Sequence, residues 1–382
     1  MQPTRKKQEG DIMIQRIDPW KSQDIKDYGK LMEQYGIQDF KPLLKRMPEP
    51  HLLMRRGIIF GHMDLERVLD ARKKRKPFVM MTGLMPSGRF HLGHKATAEQ
   101  MIYYQSIGAE LFVCVADIEA YNTRNKPLSE LRKIAIEEYL LNYIALGMKP
   151  KGVDFYFQSE RSRDARKSNA FYRLIGLVSR KTTFNEMKDI YGDLSPGKVM
   201  SVMTQVADIL HPQLPEFGGP RPVVVPVGVD QHPHIMLTRD IASRMKEFKF
   251  VPPSSDYHEF MPGLKGHKMS SSDPFSYIAL DDDPKTVKEK IIKHAFSGGR
   301  GSLKEHRLKG GNPDVDVAFK ILLYGMEPDD RKLRKLEEDY RSGKLLTGEL
   351  KQYTIEKLTA FLERHQEKRE KARSKVDKFL KT

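Results

Sequence analysis

Three side chains in this sequence have the types and the setting for chemistry on a phosphate. His91 and His94 close the stretch Phe78 to His94, FVMMTGLMPSGRFHLGH, and Lys268 lies far downstream in Gly266-His267-Lys268-Met269-Ser270-Ser271-Ser272. Imidazoles and an ammonium can sit against phosphate oxygens, and phosphoryl transfer needs positioning and charge stabilisation more than covalent help. A histidine pair three apart is ordinary in α/β folds, and a serine-rich loop is usually just solvated. Their conjunction in one chain is the signal.

The residues around the histidines read as a frame for an anion. Phe78 to Thr82 is an apolar run of strand type, and Gly83, Pro86 and Gly88 punctuate a turn. From about Gly93 the pattern turns helical, with Ala96, Ala98, Met101, Ile102 and Gln105 on a helical period. First-turn amides lack intrahelical partners and carry the positive end of the dipole, so this helix entry predicts an anion site.

Strands and helices alternate onward. Leu111 to Ala116, Val153 to Phe157 and Val223 to Val229 read as buried strands, with a helix across Ser129 to Leu146. This alternation predicts an α/β fold with a doubly wound parallel sheet, whose ligands bind beyond the carboxyl ends of the strands. The His-Leu-Gly-His segment, Asp117-Ile118-Glu119 and Gly228-Val229-Asp230-Gln231 all fall at such ends. The chain divides into an N-terminal extension with short helical stretches (1–76), a catalytic domain (77–284) and an all-α C-terminal domain (285–382). A helical insertion occupies about 158–222 of the catalytic domain. In it Ser195-Pro196 reads as an N-cap and first-turn pair. Ser201, Gln205 and Asp208 then fall together beside the apolar face of the following helix. The last helix starts near Thr347, read as its N-cap.

The 382 residues carry 67 Lys plus Arg against 51 Asp plus Glu, a net charge of +16. That favours a polyanionic partner, with tRNA, DNA and anionic membrane all compatible. No apolar run reaches the length of a membrane span and the N-terminus has no signal-peptide core, so no membrane role is expected. The single Cys114 excludes a disulfide framework, a four-cysteine zinc site and an iron–sulfur cluster, and points to a reducing cytosol. His232 and His234 lack partners for a metal site, so no structural metal is expected. Five cations in a row, Arg72, Lys73, Lys74, Arg75 and Lys76, read either as a solvated face or as a phosphate contact. The segment from Lys351 to Thr382 holds ten Lys and Arg against five acids, which suits RNA.

The HLGH and KMSSS segments resemble the HIGH and KMSKS signatures of class I aminoacyl-tRNA synthetases, with their Rossmann-type catalytic domain. The resemblance sharpens at Ile17-Asp18-Pro19-Trp20, at Val229-Asp230-Gln231 with Thr238 to Ala242, at Lys293 to Arg300, at Gly310 to Val317 and at Leu346 to Leu350. These segments are similar to tryptophanyl-tRNA synthetases of the archaeal and eukaryotic branch. The likeness implies activation of L-tryptophan by Mg·ATP and transfer to the 3′ end of tRNA(Trp), by a cytoplasmic homodimer with a C-terminal anticodon-binding domain. It also implies site residues. His91, His94 and Lys268 are catalytic. Thr82, Gly83, Pro86, Ser87, Gly93, Gly228, Asp230, Met269, Ser270 and Ser271 bind ATP, with Asp230 at the ribose. Met81, Glu119, Gln205, Asp208 and Gln231 hold tryptophan, with Glu119 facing its ammonium, and Arg72 to Lys76 meet tRNA.

The sequence departs from that branch in the pocket. Where the branch has a tyrosine and a glutamine implicated at the indole N–H, this chain has Met81 and Cys114. Asp208 falls where the bacterial branch places an indole-binding aspartate, and a buried N–H needs an acceptor, so Asp208 is the expected one. Tyrosyl-tRNA synthetases share that aspartate but pair it with a tyrosine at the Met81 position, which makes tyrosine the runner-up substrate. A small-metabolite nucleotidyltransferase shares the signature fold without a basic helical C-terminal domain. A non-catalytic RNA-binding paralogue need not keep His91, His94 and Lys268.

The charge balance predicts that tRNA affinity falls steeply with salt while tryptophan affinity does not, because each neutralised phosphate releases counterions. Binding titrations across a salt series check this. A flat tRNA slope returns Arg72 to Lys76 to a merely solvated face.

Overall fold

The computed structural model describes residues 28–124, 126–267, 269 and 273–380. The segment Ile17 to Trp20, Lys268, Ser270 and Ser271 lie outside the described residues.

One seven-stranded sheet organises the chain. Its strands are β1 (Gln38–Asp39), β2 (Ile59–Met63), β3 (Val79–Leu84), β4 (Glu110–Val115), β5 (Val153–Phe157), β6 (Val223–Gly228) and β7 (Ser254–His258), in the order β1-β2-β7-β6-β3-β4-β5. The five strands from β7 to β5 are parallel, as expected for a doubly wound sheet.

The helices that matter for the site are α1 (Glu66–Lys73), α2 (Leu92–Ser106), α3 (Asp117–Arg124), α4 (Ala165–Val178), α5 (Phe184–Tyr191), α6 (Pro196–Leu210), α7 (His232–Arg244), α8 (Pro284–His294) and α9 (Thr347–Ala372). Ser195 caps α6 as the sequence predicts, accepting from Lys198 N at 3.3 Å. The cap of α9 is Leu346 rather than Thr347. The Thr347 hydroxyl instead meets Tyr340 Oη at 3.2 Å, and Glu349 accepts from Leu346 N at 2.7 Å.

Two parts of the sheet differ from the sequence reading. The N-terminal extension is not only helical: its β1 and β2 are antiparallel strands, and β2 pairs with β7. The sheet and its core therefore run across residue 77 without a break in packing. Strand β7 is hidden in the sequence because Ser254, Ser255 and Asp256 are polar yet fully buried. Asp256 takes a hydrogen bond from the Tyr104 hydroxyl, so neither alternation nor an apolar run marks this strand.

Side-chain parity sorts the parallel strands into two cores. Met80, Leu84, Leu111, Val113, Val115, Phe155, Phe157 and Val224 point to the face covered by α2 and the C-terminal helices. Val79, Met81, Phe112, Cys114, Tyr156, Val223 and Val225 point to the face covered by the helical insertion. Successive residues of a strand alternate sides, so Met81, Cys114 and Tyr156 necessarily share the face on which α6 lies.

The sheet opens where it must for a ligand. β3 pairs with β4 on one side and β6 on the other, so the connection order reverses between β3 and β6. Those two strands are in register only at Val79 with Val223 and Met80 with Val224. Beyond that point Pro226 has no N–H to offer β3, and the strands part. No helix among the described residues is long and apolar enough to cross a membrane.

Candidate active site

The crevice between the carboxyl ends of β3 and β6 is a cavity of about 690 Å³. Met81, Thr82, Gly83 and Ser87 line it from β3 and the following turn, with His94 from α2 and Glu119 from α3. Gln205 and Asp208 reach it from α6, and Gly228, Asp230 and Gln231 from the end of β6. Pro86 lies in the same turn after β3. His91 and Gly93 are not among the lining residues, and the His91 ring stacks on that of His94. Met269 packs beside them, its Sδ within 3.4 Å of where a Gly93 side chain would start.

His91 caps α2. Its Nδ1 accepts from Gly93 N at 3.1 Å, and His94 Nδ1 accepts from His91 N at 3.2 Å, a reciprocal box built from two imidazoles. A β-carbon at Gly93 would lie 3.0 Å from the His91 ring, which would have to shift slightly to admit it. The rings stack at 3.7 Å between centroids. Burial pushes the His91 imidazolium down to about 4. Burial, followed by the neighbouring His91, holds His94 well below the ordinary range. Both rings are therefore neutral at pH 7, and since each Nδ1 accepts, each Nε2 carries the proton.

The helix entry is less open to an anion than its sequence suggested. The Leu92 amide donates to Ile278 O at 3.1 Å and the Gly93 amide to His91. Two of the first-turn donors are already used, and each imidazole keeps its Nε2–H.

A backbone brace joins the histidine segment to residues 278–280. His91 bridges antiparallel to Ala279, and Leu280 N donates to Phe90 O at 2.9 Å. Arg89 grips Asp281 at 2.5 Å and Asp282 at 3.0 Å. Buried Lys290 from α8 then ties Asp282 Oδ2 at 2.7 Å to Tyr277 O at 3.0 Å. The segment that follows Ser272 is therefore anchored directly on the histidine cap.

At the far end of the cavity Asp208 is sealed from water. Its Oδ1 accepts from Tyr156 Oη at 2.7 Å and its Oδ2 from Gln158 Nε2 at 2.7 Å. Burial pushes its carboxyl up to about 6, against the bonds from Tyr156, Gln158 and Cys114 and the charge of Arg161. Tyr156 is held in turn, in register with Cys114 and with the Arg161 guanidinium 3.9 Å over its ring. Arg161 pairs with Asp154 at 2.6 Å and donates to His211 Nε2 at 3.0 Å.

Glu119 is pushed up to about 7, by burial and then by Asp208, with Arg124 opposing. Gly228 is needed as glycine, since a β-carbon would stand 2.4 Å from the Phe260 ring. His234 Nδ1 meets Tyr191 Oη and His232 Nδ1 meets Tyr257 Oη, each at 2.8 Å. Among the described residues no group of three His, Cys, Asp or Glu side chains is placed to hold a metal ion.

The sequence reading missed Tyr156, Gln158, Arg124, Tyr139, His258 and Phe260. Gln158 was findable, because it sits one residue past β5, where the rule of strand carboxyl ends applies. Arg72 to Lys76 are not brought to the cavity. They end α1 and precede the amino end of β3, at the opposite end of the parallel strands.

The chain is similar to known proteins. Residues 73–363 match the family of class I tRNA synthetases (W and Y). The chain is similar to the tryptophan–tRNA ligase of Aeropyrum pernix, 47% identical over 368 residues that span 95% of this chain and 97% of that one. It is similar to that of Methanocaldococcus jannaschii at 44% identity, over 97% of this chain and 99% of that one. Among solved structures it resembles the tryptophanyl-tRNA synthetase of Aeropyrum pernix, with a TM-score of 0.88 at 46% identity, covering 95% and 98% of the two chains. It also resembles the tryptophan-bound synthetase of Encephalitozoon cuniculi, with a TM-score of 0.81 at 30% identity, covering 93% and 98%.

The histidine box has a pH consequence with a definite sign. An unfolded chain protonates these rings below about 6.5, whereas folded His91 resists protonation down to about 4. Its contribution to stability is full above the unfolded value and is lost as pH falls from there toward about 4. Long-range proton–nitrogen spectra at pH 6 should show both rings neutral with the proton on Nε2. An imidazolium signal at that pH contradicts the box.

Proposed function

The chain belongs to the class I tRNA synthetases for tryptophan and tyrosine, as a tryptophanyl-tRNA synthetase of the archaeal type, and from that premise we propose how its side chains divide the reaction. It is an enzyme that ligates tryptophan to tRNA. In activation a carboxylate oxygen of tryptophan attacks the α-phosphorus of ATP, and the bond to the leaving pyrophosphate breaks. In transfer a hydroxyl of the terminal tRNA ribose attacks the acyl carbon and AMP departs.

The Nε2–H groups of His91 and His94 donate to phosphate oxygens as charge redistributes around the α-phosphorus. As neutral donors they orient and stabilise without competing with Lys268 for cationic charge. Lys268, with Met269, Ser270 and Ser271, belongs to the loop that meets the β- and γ-phosphates. Thr82, Gly83, Pro86, Ser87 and Gly93 shape the floor under the nucleotide, and Gly228 lets it approach β6 so that Asp230 reaches the ribose. Magnesium enters as part of Mg·ATP. The carboxylates of the cavity, Glu119, Asp208 and Asp230, each have another task, and Mg²⁺ characteristically keeps its waters and phosphate ligands.

Tryptophan lies with its ammonium toward Glu119 and Gln231 and its ring between Met81 and α6. An ammonium favours the charged form of Glu119, whose carboxyl stands at about 7 in the empty protein. The observation that carries the reading is Asp208, a carboxylate buried in the cavity wall and surrounded by donors, beside Gln205. The relatives favour tryptophan over tyrosine. tRNA(Trp) is the second substrate, with the helical C-terminal domain at its anticodon and Arg72 to Lys76 along its backbone. Charging takes place in the cytoplasm.

The partner is a second copy of the chain. α4, α5 and the start of α6 frame an apolar cavity of about 760 Å³, lined by Tyr172, Phe184, Val199, Met200 and Met203 among others. Phe184 is 60% exposed and Met200 50%. An uncovered apolar face of this kind marks an interface, and α6 carries it one turn from Gln205. Sedimentation should show a dimer for the wild type and a monomer for Met200→Glu. A wild-type monomer at assay concentration contradicts this.

ATP–pyrophosphate exchange tests the substrate reading, with tryptophan as the one amino acid that supports rapid exchange. Asp208→Ala should cost on the order of 2–4 kcal/mol in activation efficiency. It should also reduce the discrimination between tryptophan and an analogue with oxygen in place of the ring nitrogen. Undiminished discrimination removes Asp208 and its neighbours from the indole subsite.

A further inference from the structure

The wall around Asp208 has one polar atom left over. Gln158 Nε2 donates to Asp208 Oδ2 at 2.7 Å. An ionised carboxylate only accepts, so it dictates which end of the amide faces it. Gln158 Oε1 is thereby turned away from the carboxylate. It is buried and has no hydrogen-bond partner among the described residues, although Gln158 lines the cavity. The two Asp208 oxygens, by contrast, each already hold a protein donor. Ser201 Oγ is also buried and unpartnered, but Ser201 does not line the cavity.

A buried acceptor without a donor is unfavourable until something supplies one. No described side chain offers Gln158 Oε1 that donor. Tyr156 Oη and Gln158 Nε2 give their protons to Asp208, and Met81 and Cys114 offer only sulfur. The surroundings are rigid, because Gln158 continues directly from β5, its amide donating to Val115 O at 3.0 Å and its carbonyl accepting from Tyr172 Oη at 3.0 Å.

We propose that Gln158 is the specificity residue of the indole subsite: its Oε1 receives the ring N–H of tryptophan, and Asp208 is the positioning residue that holds the amide in the orientation this requires. The assignment rests on the reading that the cluster around Asp208 is the indole subsite. It divides the labour between the two residues. The charge of Asp208 never meets the ligand directly, and the atom that tests for a ring N–H is a neutral carbonyl oxygen.

The test is the ratio of activation efficiencies for tryptophan and its oxygen-ring analogue, measured by ATP–pyrophosphate exchange in the full-length protein. The wild type should prefer tryptophan strongly. Gln158→Met keeps the length of the side chain and removes the acceptor, and its preference should fall at least tenfold. Gln158→Glu is the conservative rescue. A carboxylic acid beside Asp208 shares its proton with that residue and keeps a carbonyl oxygen on the ligand side, so most of the preference should return. If Gln158→Met discriminates like the wild type while Asp208→Asn does not, Asp208 itself accepts the N–H. The inference then falls and the subsite reading stands. If neither variant changes the ratio, both fall. Should Gln158→Met not fold, a structure of the wild-type tryptophan complex reads the same bond. The ring nitrogen should lie within hydrogen-bond distance of Gln158 Oε1, and its placement on an Asp208 oxygen overturns the assignment.

Discussion

A carboxylate taken out of water has two ways to persist: it takes up a proton, or it is surrounded by donors. Asp208 follows the second course, and much of the molecule is arranged around that fact. Tyr156 and Gln158 donate to it from β5, Cys114 sits beside it from β4, and buried Arg161 lies behind the Tyr156 ring. The parity of β3, β4 and β5 puts Met81, Cys114 and Tyr156 on one face, and the insertion lays α6 across it. A change at any of these positions alters either the carboxylate's charge or the side chains that it orients. The state of this carboxylate is therefore a property of the sheet as a whole rather than of a single contact.

The nucleotide end of the cavity follows a different economy of charge. The two histidines cap each other and stay neutral at pH 7. The brace from Phe90–Leu92 to Ile278–Leu280 fixes where the loop after β7 returns to the sheet. Arg89, Asp281, Asp282 and Lys290 lock that return. The histidine segment and residues 278–282, far apart in the chain, are thereby one structural unit.

Much of this was legible beforehand, and for physical reasons. Apolar runs marked β3 to β6 because parallel strands are covered on both faces, and the rule of strand ends then led to Glu119, Asp230 and Gln231. Helical spacing put Gln205 and Asp208 on one flank of α6. What stayed hidden has equally definite causes. β7 is buried but polar, its Asp256 paired with a tyrosine from α2, so no hydrophobic pattern announces it. The extension's strands carry too little alternation to separate from helix. The role of β5 was invisible because Tyr156 and Gln158 matter through a residue fifty positions away. The departure at Met81 and Cys114 read as a loss of polar groups, and only the register of β4 with β5 shows a tyrosine directly beside Cys114. The use of the first-turn amides by the histidine cap also has no sequence signal, since it depends on ring orientation.

The most direct test of this account is a carbon NMR titration of the Asp208 carboxyl, assigned by its disappearance in Asp208→Asn. The account predicts a midpoint near about 6 in the empty protein. On the proposed placement of tryptophan, saturating ligand should move it downward, because its ammonium and ring N–H enter the cavity that Asp208 lines. A midpoint at the ordinary carboxylate value of about 3.9, or one that tryptophan leaves unmoved, contradicts it.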